Sequence, residues 1–441
     1  EIDNLPFCEI VTESVDVYKK YIDGIIIREY ENNYTKACEL FKEATSNDPT
    51  CSLANYSLFW SAFLSGNEAL KKDGDKAINA AITHLYKLPP RFSFLVKYHH
   101  FWFNKGDPNK SKKVLEMWIK QYPQSTDAYH FLIDYYSREM KYDKAVDTCK
   151  KILKIVPDYY GVYKTIAFLY RHSKDYDNAL LYAKKYLKCY PSEAGAYAVV
   201  ARVYKGKSDY NSAKDFYEEA LMLETDKLEY VVEIANQDIN LGNFKEAREQ
   251  LEDAILTCKT DVDFYEVYDY YRVLCLMQGK IKDCIKYTNI HMDYHSKIQN
   301  PLDHSIMKMI NATGTYPLIN EAKKTKKIIE DEVKKTTKPF NLLGEGIGLL
   351  FLSPYTKNKI DIESSLNKLK EFKESNKLNV TDFFLDYGRA LLYMFDKKYD
   401  KAVKLFKPLQ KKWHHVDELL CLIVKCHNRD KNYKEGIKVA E

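Results

Sequence analysis

Glycine and proline are scarce in this chain, 15 and 13 among 441 residues. That scarcity excludes both a β-rich chain cut by frequent turns and a low-complexity disordered one. Charge of one sign is scarce too. The 68 Lys and Arg against 63 Asp and Glu leave a net charge of +5, too weak a field to demand nucleic acid. The longest apolar runs, such as Gly346 to Leu352, fall far short of the ~20 residues a membrane span needs. The opening residues, Glu1 to Pro6, show no secretory signal. No CxxC or CxxH pair occurs among the ten cysteines. They read as small hydrophobes in helical cores rather than metal ligands, which predicts a reducing, cytoplasmic setting. Paired carboxylates, nucleophile–base pairs and ligand spacings for a metal are missing as well, so neither an enzyme nor a cofactor is expected.

What the chain has is apolar area and repetition. Hydrophobic residues make up 45%, and 37 tyrosines raise the aromatic share to 14%. A tyrosine covers apolar surface while keeping its hydroxyl wet, which suits a thin wall of paired helices. Pro123, Pro157 and Pro191 are 34 apart, and twelve residues before each stands Ser111, Ala145 or Ala179. Ala213 and Ala247 continue the series at the same spacing. Each alanine sits in a repeated phrase: KYDKA at 141–145, DYDNA at 175–179, DYNSA at 209–213 and NFKEA at 243–247.

The small residue marks the place where two antiparallel helices cross closely, and the aromatic three before it fills the turn. The proline stops the second helix where its missing N–H costs nothing. Small–aromatic pairs three apart, Ala167/Tyr170 and Ala201/Tyr204, lie on one face of the first helix.

This set of positions resembles the tetratricopeptide repeat. The resemblance implies an all-α, right-handed superhelical solenoid of antiparallel helix pairs, about ten units in all, whose concave face binds protein or peptide. Residues 1–295 form the array. Ala37/Pro49 and Ala77/Pro89 continue it toward the start, with six surplus residues expected to loop out around Ser65 to Gly74. Cys284 takes the alanine slot 37 after Ala247, which predicts a longer preceding helix. Residues 296–380 read as divergent helical pairs, with helices at Ile306 to Ile310, Ile319 to Val333, Phe340 to Leu352 and Ile362 to Phe372, and breaks at Asn300-Pro301, Gly314 and Ser353-Pro354. Residues 381–441 return to the motif through Tyr399/Ala402 and Tyr433/Gly436. Ser14 to Ala54, with Leu88 to Arg91 and Gly106 to Pro108, further resembles arrays attached to bacterial Ser/Thr kinases and to transcriptional or cyclase regulators. That likeness implies the sensory or docking part of a larger regulator.

In such arrays the first helix of each pair lines the groove. The expected groove positions are His130, Asp134 and Arg138, then Lys164, Phe168 and Arg171, then Arg202 and Lys205, then Glu229, Glu233 and Asn236. Lys164, Arg171, Arg202 and Lys205 would form one basic patch, because acidic residues are absent from the same slots of those two units. A patch of this kind suits an acidic peptide, and the alternative is a solvated helix face. Chaperone-binding members use a Lys–Asn pair, which this chain does not complete: Phe168 stands in the asparagine slot beside Lys164, and Val232 stands in the lysine slot beside Asn236.

Single-stranded RNA is the alternative ligand, since helical pairs of this period also read RNA. Glu229 and Glu233 interrupt the basic groove RNA needs, so no nucleic acid is expected. The segment Lys323 to Lys338 reads as an exposed helix with i,i+4 pairs such as Lys326/Glu330 and Glu330/Lys334. The tryptophans Trp60, Trp102, Trp118 and Trp413 read as core, and the pairs His99/His100 and His414/His415 as structural or exposed. Gly344 to Gly348 is not a nucleotide loop.

Overall fold

A computed structural model describes residues 12–435, except 66, 299–303, 306, 310, 313–320, 336–339, 357, 377–379, 413–416 and 433. Trp413, His414, His415, Tyr433, Gly436, Asn300-Pro301, Ile306, Ile310, Gly314 and Lys338 therefore lie outside the described residues. Among the described residues all regular structure is helical. Two compact units divide the chain, Glu1–Gln237 and Asp238–Glu441.

In the first unit each helix packs on the one that follows it. The pairs Val15–Tyr30 with Tyr34–Asn47, Ser52–Leu64 with Glu68–Thr83, and Pro90–His99 with Pro108–Gln121 precede three regular ones. These are Thr126–Arg138 with Tyr142–Ile155, Gly161–His172 with Tyr176–Cys189, and Ala194–Gly206 with Tyr210–Leu223. First helices of consecutive pairs also touch, as Gly161–His172 does Ala194–Gly206. Ser111, Ala145, Ala179 and Ala213 are each fully buried, as the close crossing requires. Ser111 keeps its hydroxyl satisfied there by donating to the Tyr98 carbonyl at 2.9 Å. Around the crossings Ile152, Ile166 and Leu169 are sealed from water, at about 1.5–3 kcal/mol each.

The turn inside eight of the pairs has a backbone rule that the sequence motif does not spell out. The residue two before the second helix has positive φ: Asn32, Gly106, Met140, Lys174, Ser208 and, in the second unit, Gly242, Gly279 and Lys397. The next N–H then reaches back five residues, as Asp175 donates to the Tyr170 carbonyl at 2.9 Å and Asp209 to Tyr204 at 3.0 Å, or six, as Asn33 donates to Ile27 and Asp107 to Phe101. This closes the first helix with a left-handed cap. The residue after the left-handed one opens the second helix, and Asn33, Asp107, Asp175 and Asp209 cap it through their side chains.

Two expectations about spacing change. The six surplus residues before Pro89 do not loop out. Helix Glu68–Thr83 starts nine residues before its crossing alanine (77 − 68), where Tyr142–Ile155 starts three before (145 − 142), so the surplus is helical. Gly74 lies inside that helix, and a Cβ there would meet Ala62 Cβ at 2.9 Å. Before Cys284 the longer helix is present as Asp261–Met277, of 17 residues.

In the second unit, Asp261–Met277 packs on Ile281–Ile298, Phe340–Thr356 on Lys359–Asn376, and Val380–Phe395 on Tyr399–Lys412. The expected break at Ser353-Pro354 is absent. Pro354 lies within helix Phe340–Thr356, so close to its end that no further turn depends on it. Helix Ala322–Val333 is not exposed all round: Thr325, Ile329 and Glu332 are buried. Its expected i,i+4 pairs give way to other partners, with Lys326 on Asp361 at 3.0 Å and Lys334 on Asp331 at 3.3 Å.

Candidate functional site

The groove candidates occupy four first helices of the first unit. On Thr126–Arg138, His130 is half-buried and meets Tyr159 edge-on at 5.6 Å. Burial pushes its imidazole below the usual range, against the opposing charge of Asp127. Asp134 and Arg138 pair with each other at 2.8 Å on the open surface, where such a bond adds little.

On Gly161–His172 and Ala194–Gly206 the candidates converge. Lys164, Phe168, Arg171 and Arg202 surround one hollow of about 60 Å³, floored by Ala167, Val199 and Val203. Helical spacing puts Lys164, Phe168 and Arg171 on one face. Phe168 is 46% exposed, an unusual state for a large aromatic ring, and the Arg171 guanidinium lies over it at 5.5 Å. Burial, and then the charge of Arg202, push the Arg171 guanidinium below its ordinary pKa. Arg171 and the exposed Lys164 form no ion pair among the described residues.

The other two cations are not free, which corrects the single basic patch. Arg202 Nη2 donates to Glu229 at 2.5 Å, and Lys205 Nζ donates to both carboxylate oxygens of Glu233 at 2.7 and 3.0 Å. Both acids come from the next first helix, Leu228–Leu241. Comparing equal slots within a unit missed them, because the pairing runs between units. Asn236, expected in the groove, is almost wholly buried and reaches Glu233 at 3.5 Å.

Elsewhere the structure offers less chemistry. Trp118 is core, whereas Trp60 and Trp102 are half-buried, with Trp60 stacked on His99 at 4.7 Å. His99 and His100 are both buried, and the Tyr56 hydroxyl meets His99 Nδ1 at 2.7 Å. The eight described thiols are unbridged, and burial pushes those of Cys149 and Cys426 up to about 12. Cys258, read as lying inside a helix, instead follows the end of Phe244–Thr257. No metal-holding group of His, Cys, Asp and Glu occurs among the described residues, and no described helix is long and apolar enough to cross a membrane.

No curated protein sequence matches the chain. Residues 194–227, which hold Arg202, Lys205 and the crossing Ala213, match the family model of the tetratricopeptide repeat. Among solved structures, a tetratricopeptide repeat protein from Parabacteroides merdae ATCC 43184 is 13% identical, with 68% of this chain and 98% of that one covered at a TM-score of 0.37. TTC0263, a thermophilic tetratricopeptide protein of Thermus thermophilus, is 15% identical over 50% and 98%, at 0.32. The APC/C hetero-tetramer Cut9-Hcn1 is 15% identical over 93% and 76%, at 0.36. The chain thus contains a tetratricopeptide repeat at 194–227, and the 34-residue recurrence of its crossing alanine and the same capped turn are found in the neighbouring helix pairs.

Proposed function

We propose that the chain is a non-catalytic scaffold that holds an acidic segment of a partner protein against the first helices Gly161–His172 and Ala194–Gly206. The observation that carries this reading is the hollow where an exposed Phe168 ring stands among Lys164, Arg171 and Arg202. An apolar side chain of the partner covers the ring, and its acids meet Lys164 and Arg171. Each charged hydrogen bond contributes about 1.5–3 kcal/mol, and salt weakens it because the hollow is open to water.

An array of immobilised peptides of mixed composition tests the reading. The full chain is expected to retain acidic peptides at low salt and release them at high salt. Lys164→Glu with Arg171→Glu is expected to abolish retention without changing helicity, since neither residue carries an ion pair among the described residues. Acidic peptides held equally by the doubly reversed chain would show that the partner docks elsewhere.

A further inference from the structure

The hollow has a counterpart one repeat on, and of the four charges that close the counterpart only one is kept in the hollow. Between Ala194–Gly206 and Leu228–Leu241, Arg202 holds Glu229 and Lys205 holds Glu233. Subtracting the 34-residue period gives the same positions one junction earlier. The pair 202/229 becomes Phe168/Gly195, and the pair 205/233 becomes Arg171/Val199. At the earlier junction the cation of the second pair is kept and both carboxylates are gone. A Cβ added to Gly195 meets nothing within 4 Å, so the slot that Glu229 occupies one repeat on is open space. Val199 is part of the floor of the hollow and offers Arg171 no charge. Arg171 is thus a half-buried cation beside another cation, Arg202, with its repeat-mate's counter-ion missing: its guanidinium meets His172 Nε2 at 3.3 Å, and the opposing charge of Glu233 acts on it more weakly than Arg202 does.

We propose that this junction is a subsite for one side-chain carboxylate, a glutamate or aspartate inside the partner segment, taken by Arg171 with Lys164 beside it. The inference rests on the groove reading above and makes it specific. Glu233 on Lys205 is the internal pattern for the contact: the partner supplies at Arg171 what the chain supplies to itself one repeat later. The residue next to that carboxylate is apolar and covers Phe168. The following junction, closed by its own ion pairs, takes no ligand carboxylate.

Fluorescence anisotropy on the full chain tests this with two labelled, end-blocked decapeptides. One carries a single glutamate between leucines in a Gly–Ser background, and its twin carries glutamine. The blocked ends leave the side chain as the only carboxylate. The glutamate peptide is expected to bind at least ~10-fold tighter, about 1.4 kcal/mol. Val199→Glu places an internal carboxylate against Arg171 and is expected to erase that preference, with the circular dichroism spectrum checking that the helices are kept. Arg171→Gln is expected to erase it without changing the affinity for the glutamine twin. Equal binding of the twins, no binding of either, or a preference that survives both variants overturns the subsite. So does a phosphoserine peptide that binds while glutamate and glutamine remain equal. Should array retention of acidic peptides still depend on Lys164 and Arg171 in that case, the scaffold reading stands and only the subsite falls. Loss of both sinks both.

Discussion

The regular pairs of the first unit and the divergent stretch Ala322–Asn376 of the second bring helices close by different means. In the regular pairs one alanine per second helix marks each crossing, at a fixed distance from the turn. In the divergent stretch, helix Phe340–Thr356 uses glycine. A Cβ at Gly344 would meet Met309 Cε at 2.6 Å, and one at Gly346 would meet Leu369 Cγ at 2.9 Å and the Ser365 carbonyl at 3.3 Å. Polar contacts differ as well. The regular turn repeats one backbone cap, while the divergent stretch buries Glu332 and satisfies it individually from Ser305, Lys308 and Lys335. Loss of the motif is therefore not loss of helix pairing. A close crossing needs a small residue, and where it lies along the helix is free once the turn no longer fixes it.

The largest expected effect comes from filling the two kinds of crossing. Ala179→Leu overpacks a regular pair and is expected to cost about 1–3 kcal/mol. Gly346→Leu is expected to cost about 3 kcal/mol or more, since the new side chain meets the buried Leu369 at 2.9 Å with the Ser365 carbonyl close behind it at 3.3 Å. Thermal melts of both variants check the order, and a harmless Gly346→Leu would remove the glycine half of the comparison.

Acid should separate the two regions next. Burial pushes His99 in the first unit down to about 3, so its folded imidazole stays neutral while the unfolded one titrates near its ordinary value. Its contribution is complete above pH 6.5 and is lost as pH falls, about 2 kcal/mol by pH 5. At Glu332 burial raises the carboxyl, but hydrogen bonds from Lys335, Lys308 and Ser305 outweigh that and hold it below the usual range. Its contribution is present above its unfolded pKa and is lost only at more acid pH. Urea titrations across pH are expected to show His99→Gln flattening the slope between pH 6.5 and 5. Glu332→Gln should lower stability throughout the range above about 4.5 and change the slope only below it.

The smallest effects lie in the regular turn. Asp209→Ala removes a side-chain cap and is expected to cost about 1 kcal/mol. Lys141 stands in the same place with no side-chain cap bond, so Lys141→Asp should gain a similar or smaller amount. Lys174→Gly relieves a left-handed non-glycine residue and is expected to add about 0.5–1 kcal/mol. A loss on Lys174→Gly, measured by the same melts, would mean that the lysine side chain matters more than its φ.

The sequence by itself determined the all-α class, the period and the crossing residues, because each is a local demand. A turn, a helix stop and a close approach restrict the residue at one position, and repetition makes the restriction visible. Residue type and slot also picked out Lys164, Phe168, Arg171 and Arg202, the four that surround one hollow. The tertiary structure alone decided which cations are paired. Arg202 meets Glu229 across 27 residues and Lys205 meets Glu233 across 28, both on the neighbouring repeat. Such a pairing follows from how one helix lies beside the next, and Gly195 and Val199 gain their meaning only against those two pairs. The glycines of Phe340–Thr356 belong to the same class. Nothing in Gly344 to Gly348 marks a crossing until Met309, Leu369 and Ile329 are seen pressing on the helix, because contact between distant segments leaves no periodic trace in the chain.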